Sequence, residues 1–176
     1  MQIQSFLFTS FLLISFGLNS SAQTQPVDLS HIKSVFNKIN SNTRLTKVTL
    51  ENEEFSDQTP DGGASLTGYF DKNSLVKISF WIGLSYGIRQ TDFYFDNDSL
   101  VFCYVTERHF KTGQTTIDYT KTELAFEGRY YYNNSHLLLK KTAGTGFQGK
   151  DNEDEIIPDS RQYFKLLMQK MNRKKH

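Results

Sequence analysis

The chain has 176 residues, a formal net charge of +1 at pH 7 and one cysteine. The balanced charge argues against an electrostatic nucleic-acid binder, because such proteins carry a strong basic excess. A single cysteine excludes an intramolecular disulfide, and Cys103, which stands among apolar residues, is predicted to be a small buried hydrophobe.

The first segment has the composition of a secretory signal. Residues 1–22 contain no Asp, Glu, Lys or Arg, and residues 6–18 are almost wholly apolar. This apolar run is shorter than the roughly 20 residues that a membrane-spanning helix needs. Small residues precede Gln23, so we expect cleavage between Ala22 and Gln23, export to the periplasm or the exterior, and no stable membrane span afterwards. A buried N-terminal helix or strand is the alternative.

The remaining residues, 23–176, are predicted to form one α+β domain. An apolar residue every third or fourth position predicts a helix over 28–41, capped by Asp28. A second stripe, opened by Pro158, predicts a helix over 159–172. Between them, residues 44–141 are predicted to form an antiparallel β-meander of about six to eight strands, with both helices packed on it.

The clearest internal signal is a pattern that occurs three times, at residues 69–75, 94–100 and 131–137. Each copy is an aromatic pair, then about four turn-forming polar residues, then an aliphatic strand. The pattern predicts three β-hairpins with four-residue loops. The polar residues 111–122 are predicted to be a long connection, and residues 142–158 a loop.

Strand alternation assigns side chains to the two faces of the sheet. Val76 is placed with Ile78 and Phe80, and Val101 is placed with Cys103, opposite Leu100. One face is then apolar and the other is part aromatic, part polar, so something must cover part of the second face.

One motif resembles a catalytic site and is interpreted structurally. Gly83 to Gly87 matches G-x-S-x-G, but a strand follows it where a nucleophile elbow requires a helix, so we predict a hairpin turn. The four histidines share no metal-binding spacing. No catalytic residue, metal site or cofactor is predicted.

The second face holds the candidate binding residues. Trp81 shares it with Lys77, and Phe102 and Tyr104 are expected to extend it on a neighbouring strand, with charged residues at its edge. A flat aromatic surface of this kind suits a sugar, a peptide or a protein; the alternative is that a helix or the long connection covers it. The predicted site residues are Trp81, Tyr104, Phe102, Arg89 and Lys77.

The pattern Y-[FY]-[DN]-x-x-[SH]-L and the stretch 122–132 (TELAFEGRYYY) resemble small exported proteins of unknown function from Bacteroidetes-type bacteria. The resemblance covers about residues 64–141. It implies a periplasmic or secreted bacterial setting and carries no catalytic residue. The order of elements is also similar to inhibitor-like and PepSY-like exported modules, which is an analogy of fold.

Taken together, the residues favour a non-enzymatic binding or interaction module of the bacterial envelope and leave enzymatic activity open. Its partner would be an envelope protein, a peptide or a glycan. The alternative is a small exported hydrolase whose site is assembled from distant acids and His109 or His136. A purely structural envelope component is the third hypothesis.

Overall fold

Seven antiparallel strands form one sheet, in which each strand pairs with the next along the chain. The computed structural model describes residues 27–113, 116–145 and 153–173; the predicted signal peptide lies outside them. One helix precedes the sheet and one follows it, so the prediction of an antiparallel sheet with a helix near each end is confirmed. In chain order the elements are α1 (Ser30–Ser41), β1 (Thr46–Glu51), a 3₁₀ turn (Asn52–Glu54), β2 (Ala64–Asp71), β3 (Ser74–Leu84), β4 (Gly87–Asp96), β5 (Ser99–Thr112), β6 (Ile117–Asn133), β7 (His136–Gly144) and α2 (Glu153–Arg173).

The two helices pack on opposite faces of the sheet. On one face, which we call the α2 face, Leu167 of α2 joins a buried cluster with side chains such as Leu66 and Phe93. On the other, the α1 face, Ile32 and Ile39 pack over a smaller group of mostly aromatic side chains. No helix in the described ranges has the length and apolarity needed to cross a membrane.

The three predicted hairpins are present, but their loops have two residues instead of four. The pairs Asp71–Ser74, Asp96–Ser99 and Asn133–His136 extend each ladder one step closer to the turn. Positive φ angles explain the tight closure: Asn97 and Asp98 have φ of 47° and 61°. Left-handed backbone at both central positions is the type I′ geometry that matches the twist of paired strands.

Each of these turns is followed by a β-bulge, which changes the predicted face assignment. Tyr94 pairs with Phe102 while Phe95 pairs with Leu100, so Val101 is an extra residue. Phe95 and Leu100 share the α2 face with Cys103, so the placement of Leu100 opposite Cys103 was wrong. Placing Val101 with Cys103 was wrong, because the bulge moves Val101 into the α1 cluster. For the same reason Val76 packs in the α1 cluster and not beside Ile78. The third bulge is at Leu138.

The predicted connection at 111–122 is mostly strand. Thr112 pairs with Ile117, and β5 and β6 continue as a two-stranded ribbon past the start of β4, whose Gly87 pairs with His109. Phe110 and Tyr119 contact each other edge to face across this ribbon. The segment is polar, but its threonines, Ile117 and Tyr119 favour a pleated strand, so composition alone misled the prediction.

The helix boundaries differ from the predicted ones at their N-terminal ends. Helix α2 begins at Glu153, so Pro158 lies inside it and does not open it. Asp154 and Glu155 then lie at the positive end of the helix dipole, and Pro158 removes one early hydrogen bond. Helix α1 begins at Ser30, whose backbone N–H donates to the Asp28 carboxylate at 2.8 Å. This bond lowers the pKa of Asp28.

Candidate functional site

Helix α1 covers only part of its face of the sheet. It lies over a row of side chains that includes Tyr94, Phe102 and Tyr131. The next two rows, further from the two-residue turns of the three predicted hairpins, have no helix packed on them in the described part of the chain, and we call these two rows the open surface. One row contains Thr49, Thr67, Ser79, Asp92, Tyr104, Arg129 and Lys141, and the other contains Glu51, Ser65, Trp81, Gln90, Thr106, Glu127 and Ala143.

Trp81 is the apolar centre of the open surface. It lies on β3, directly opposite Ser65 on β2 and Gln90 on β4, and it is half-buried. No described residue accepts a hydrogen bond from its indole N–H, although such a group usually has a partner when it is buried. The N–H is therefore available to water or to a ligand.

Beside Trp81, polar side chains are linked into a network around Asp92. The Ser79 hydroxyl donates to Asp92 Oδ1 at 2.7 Å, and Gln90 Nε2 donates to the same oxygen at 3.1 Å. Lys77 Nζ pairs with Asp92 Oδ2 at 2.9 Å. Burial is the largest single effect and acts to lower the pKa of Lys77, but the interactions with Asp92 and Tyr94 together outweigh it and the pKa is raised. The ammonium group therefore neutralises the carboxylate at the edge of the open surface.

A second linked group begins on the neighbouring strand β5, where Tyr104 lies opposite Asp92. The Tyr104 hydroxyl donates to Glu127 Oε1 at 2.7 Å. Arg129 pairs with the same carboxylate and lies 5.6 Å from the centroid of the Tyr104 ring. Burial and the bond to Glu127 raise the pKa of Tyr104. The second carboxylate of the open surface is thus also balanced by a neighbouring cation.

The structure brings some of the predicted site residues together and separates others. Trp81, Tyr104 and Lys77 share the α1 face, whereas Phe102 lies beneath α1 and is 6% exposed. The strand spacing separates Trp81 from Tyr104 by about 12 Å, so the continuous aromatic platform predicted from the sequence is not formed. The predicted position of Arg89 is wrong: Gln90 pairs with Trp81, so Arg89 points to the opposite, α2 face.

The α1 edge of the open surface opens into a groove. A cavity of about 400 Å³ lies between the helix and the sheet. Arg129 belongs both to this cavity and to the open surface, so the two are continuous. The cavity is lined by Ile32, Lys33, Phe36, Asn37, Phe102, Arg129 and Tyr131.

Sequence reasoning missed a buried ionic cluster on the α2 face. Glu107 is 1% exposed; its Oε2 accepts hydrogen bonds from Arg89 Nε at 3.0 Å and Nη2 at 2.8 Å. Its Oε1 lies 2.8 Å from His109 Nε2. The available signal was that Arg89, Glu107 and His109 occupy inward positions of neighbouring strands, where the alternation otherwise predicts apolar side chains.

This cluster supplies only part of what a hydrolase requires. The His109 ring contacts the Glu107 carboxylate, as the acid of a catalytic triad contacts its histidine. No hydroxyl or thiol side chain among the described residues hydrogen-bonds to His109. Ser85 lies in the two-residue turn between β3 and β4, which confirms the hairpin interpretation of that motif. His136 is exposed in strand β7, paired with Asn133 across the last turn, so it does not join His109.

Neither the Cys103 thiol nor a cluster of metal-ligating side chains provides a catalytic group in the described ranges. Burial raises the pKa of the Cys103 thiol well above its usual value, which disfavours the nucleophilic thiolate. The described ranges contain no group of three or more His, Cys, Asp or Glu side chains placed to hold a metal ion.

Comparisons with protein-family models, with curated proteins and with solved structures give no significant match.

Proposed function

We propose that the protein is an exported binding module that takes up its ligand on the open surface around Trp81. The observation that carries this proposal is a half-buried indole, whose N–H has no partner among the described residues, surrounded by polar side chains on the part of the α1 face that no described helix covers. Solvated faces of antiparallel sheets are normally polar, so a tryptophan at this position contributes more to a contact than to the core. Tryptophan is also the residue type most enriched at energetically important contacts.

The surroundings of Trp81 support the same proposal. Ser79, Gln90 and Asp92 are held by one another and by the sheet, so their side chains lose little freedom when a ligand binds. Such preorganisation reduces the entropic cost of association. The adjoining groove under α1 enlarges the area that a ligand can contact.

Export is the second part of the proposal and has its own test. It is motivated by the apolar, uncharged segment before Gln23. We expect intact-mass measurement of the protein from the producing bacterium to show a chain that begins at Gln23, in the periplasmic or culture fraction. A cytosolic product that still begins at Met1 would contradict export.

The binding role predicts a selective effect of Trp81→Ala. The variant should fold like the wild type, because Trp81 lies outside both buried clusters. It should lose most of the ligand or partner that the wild type retains from envelope extract, measured by affinity capture and mass spectrometry of the eluate.

Tyr119→Ala is the matched control, since it removes an aromatic ring that is 65% exposed and lies on the ribbon away from the open surface. This control should retain everything that the wild type retains. Equal capture by Trp81→Ala and wild type would exclude the open surface as the binding site.

A further inference from the structure

We infer that the ligand of the open surface is a neutral glycan chain, lying across the strands with one sugar ring stacked on Trp81. The inference rests on the proposed function and adds the chemical class of the ligand. Three features of the surface support it: the groups around the indole, the balance of charge, and the use of a sheet face instead of a sheet edge.

The groups around Trp81 match the two-sided chemistry of a sugar ring. A pyranose presents an apolar C–H face, which packs on an aromatic ring, and a rim of hydroxyl groups. Around the indole, Ser65, Thr67 and Ser79 offer hydroxyl groups, and Gln90 offers a planar amide. These groups both donate and accept hydrogen bonds, as do the sugar hydroxyls. The indole N–H adds a donor without a partner among the described residues.

The charge of the surface favours a neutral ligand. Asp92 is paired with Lys77, and Glu127 is paired with Arg129. The same two rows also hold Glu51 and Lys141, so with Lys77 at the edge the acidic and basic side chains on the surface are equal in number. A nucleic acid or an acidic polysaccharide would need unpaired basic side chains, because affinity for such polymers comes mainly from cations.

The geometry favours a glycan over an extended peptide. A peptide that adds to a sheet hydrogen-bonds to the free backbone groups of an edge strand. Trp81 lies on β3, whose backbone is paired on both sides, with β2 and β4. Only side chains are available there. Side chains on neighbouring strands recur about every 4.8 Å, which is close to the length of one sugar residue in an extended glycan.

The chain contains a single tryptophan, so its fluorescence reports on this surface alone. The full-length exported protein is first applied to an array of neutral glycans, and each glycan retained is titrated against the indole emission. The expected result is a saturable emission change with a neutral hexasaccharide, and at least tenfold weaker binding of the corresponding monosaccharide. A Ser/Thr/Ala decapeptide and heparin should leave the emission unchanged.

Two double variants, one a test and one a control, show whether the fluorescence change comes from binding at the open surface. Ser79→Ala combined with Gln90→Ala keeps the fluorophore and should weaken hexasaccharide binding by about tenfold, the size expected for two lost hydrogen bonds. Thr120→Ala combined with Thr122→Ala, on the ribbon, should leave binding unchanged. Circular dichroism of both pairs confirms that they fold.

The outcomes separate this inference from the proposed function. If no neutral glycan on the array binds, or if the decapeptide or heparin saturates the emission instead, the glycan assignment is overturned. The binding role would still stand if Trp81→Ala lost its captured ligand while Tyr119→Ala kept it. If both ring variants captured as much as the wild type, both proposals would fall.

Discussion

Glu107→Ala is expected to lower the free energy of unfolding by about 3 kcal/mol or more, because it removes the carboxylate that faces a buried guanidinium. Glu107 and Arg89 are 1% and 5% exposed, and two hydrogen bonds join them. A pair this well shielded from water is costly to break, whereas exposed pairs contribute about 0–1 kcal/mol. Urea denaturation monitored by circular dichroism measures the difference.

The double variant Arg89→Met with Glu107→Leu provides a sharp comparison. Replacing both members of a buried pair by apolar side chains is often neutral or stabilising, so the double variant should recover most of the loss. Glu123→Ala, which removes an exposed carboxylate from β6, should change stability by less than about 0.5 kcal/mol. A Glu107→Ala variant as stable as Glu123→Ala would show that the cluster contributes little to the fold.

Leu167→Ala is expected to cost about 3 kcal/mol, within the usual range for removing a fully buried leucine. Leu167 is 0% exposed and is the α2 side chain that reaches the bare backbone of Gly68 on β2. Its Cδ1 methyl, together with the side chains of Phe70 and Leu75, fills the space that a side chain at position 68 would occupy. Removing it leaves a cavity where the helix meets the centre of the sheet, and the surrounding residues can refill that space only in part.

Thermal and urea unfolding of Leu167→Ala should be compared with Lys165→Ala, which changes an exposed residue two positions earlier in the same helix. The lysine variant should remain within about 0.5 kcal/mol of the wild type, since alanine is a good helix former. If the two variants lost the same stability, α2 would not be held by the contact at Gly68.

Local patterns were enough to predict the main elements of the fold. The aromatic–polar–aliphatic segments predicted the three hairpins, and the spacing of apolar residues predicted both helices. The errors came from features that composition does not report. The ribbon around Tyr119 is polar yet forms strands, and α2 continues through Pro158, its sixth residue, with the loss of one backbone hydrogen bond.

The site was harder to predict because it depends on pairing between strands. Alternation within β3 placed Trp81 and Lys77 on one face correctly. Arg89 was assigned without following the register between β3 and β4, which puts it with Ile82 and away from Trp81. The contact between Arg89 and Glu107 joins residues on different strands, so no short segment of sequence contains it. The cover over Phe102 depends on where α1 packs, which is a tertiary property.

The extra residues at Val76, Val101 and Leu138 can each be removed without changing the face that the following residues occupy. Leu100 and Cys103 face α2, while Val101 and Phe102 both face α1. Deleting Val101 would keep the pairing of Tyr94 with Phe102 and would restore strict alternation along β5. Deleting Thr106, in the regular part of the same strand, would instead turn Glu107 to the opposite face and away from Arg89. Length variation in β5 is therefore tolerable at the bulge beside the aromatic pair and damaging within the regular stretch of the strand.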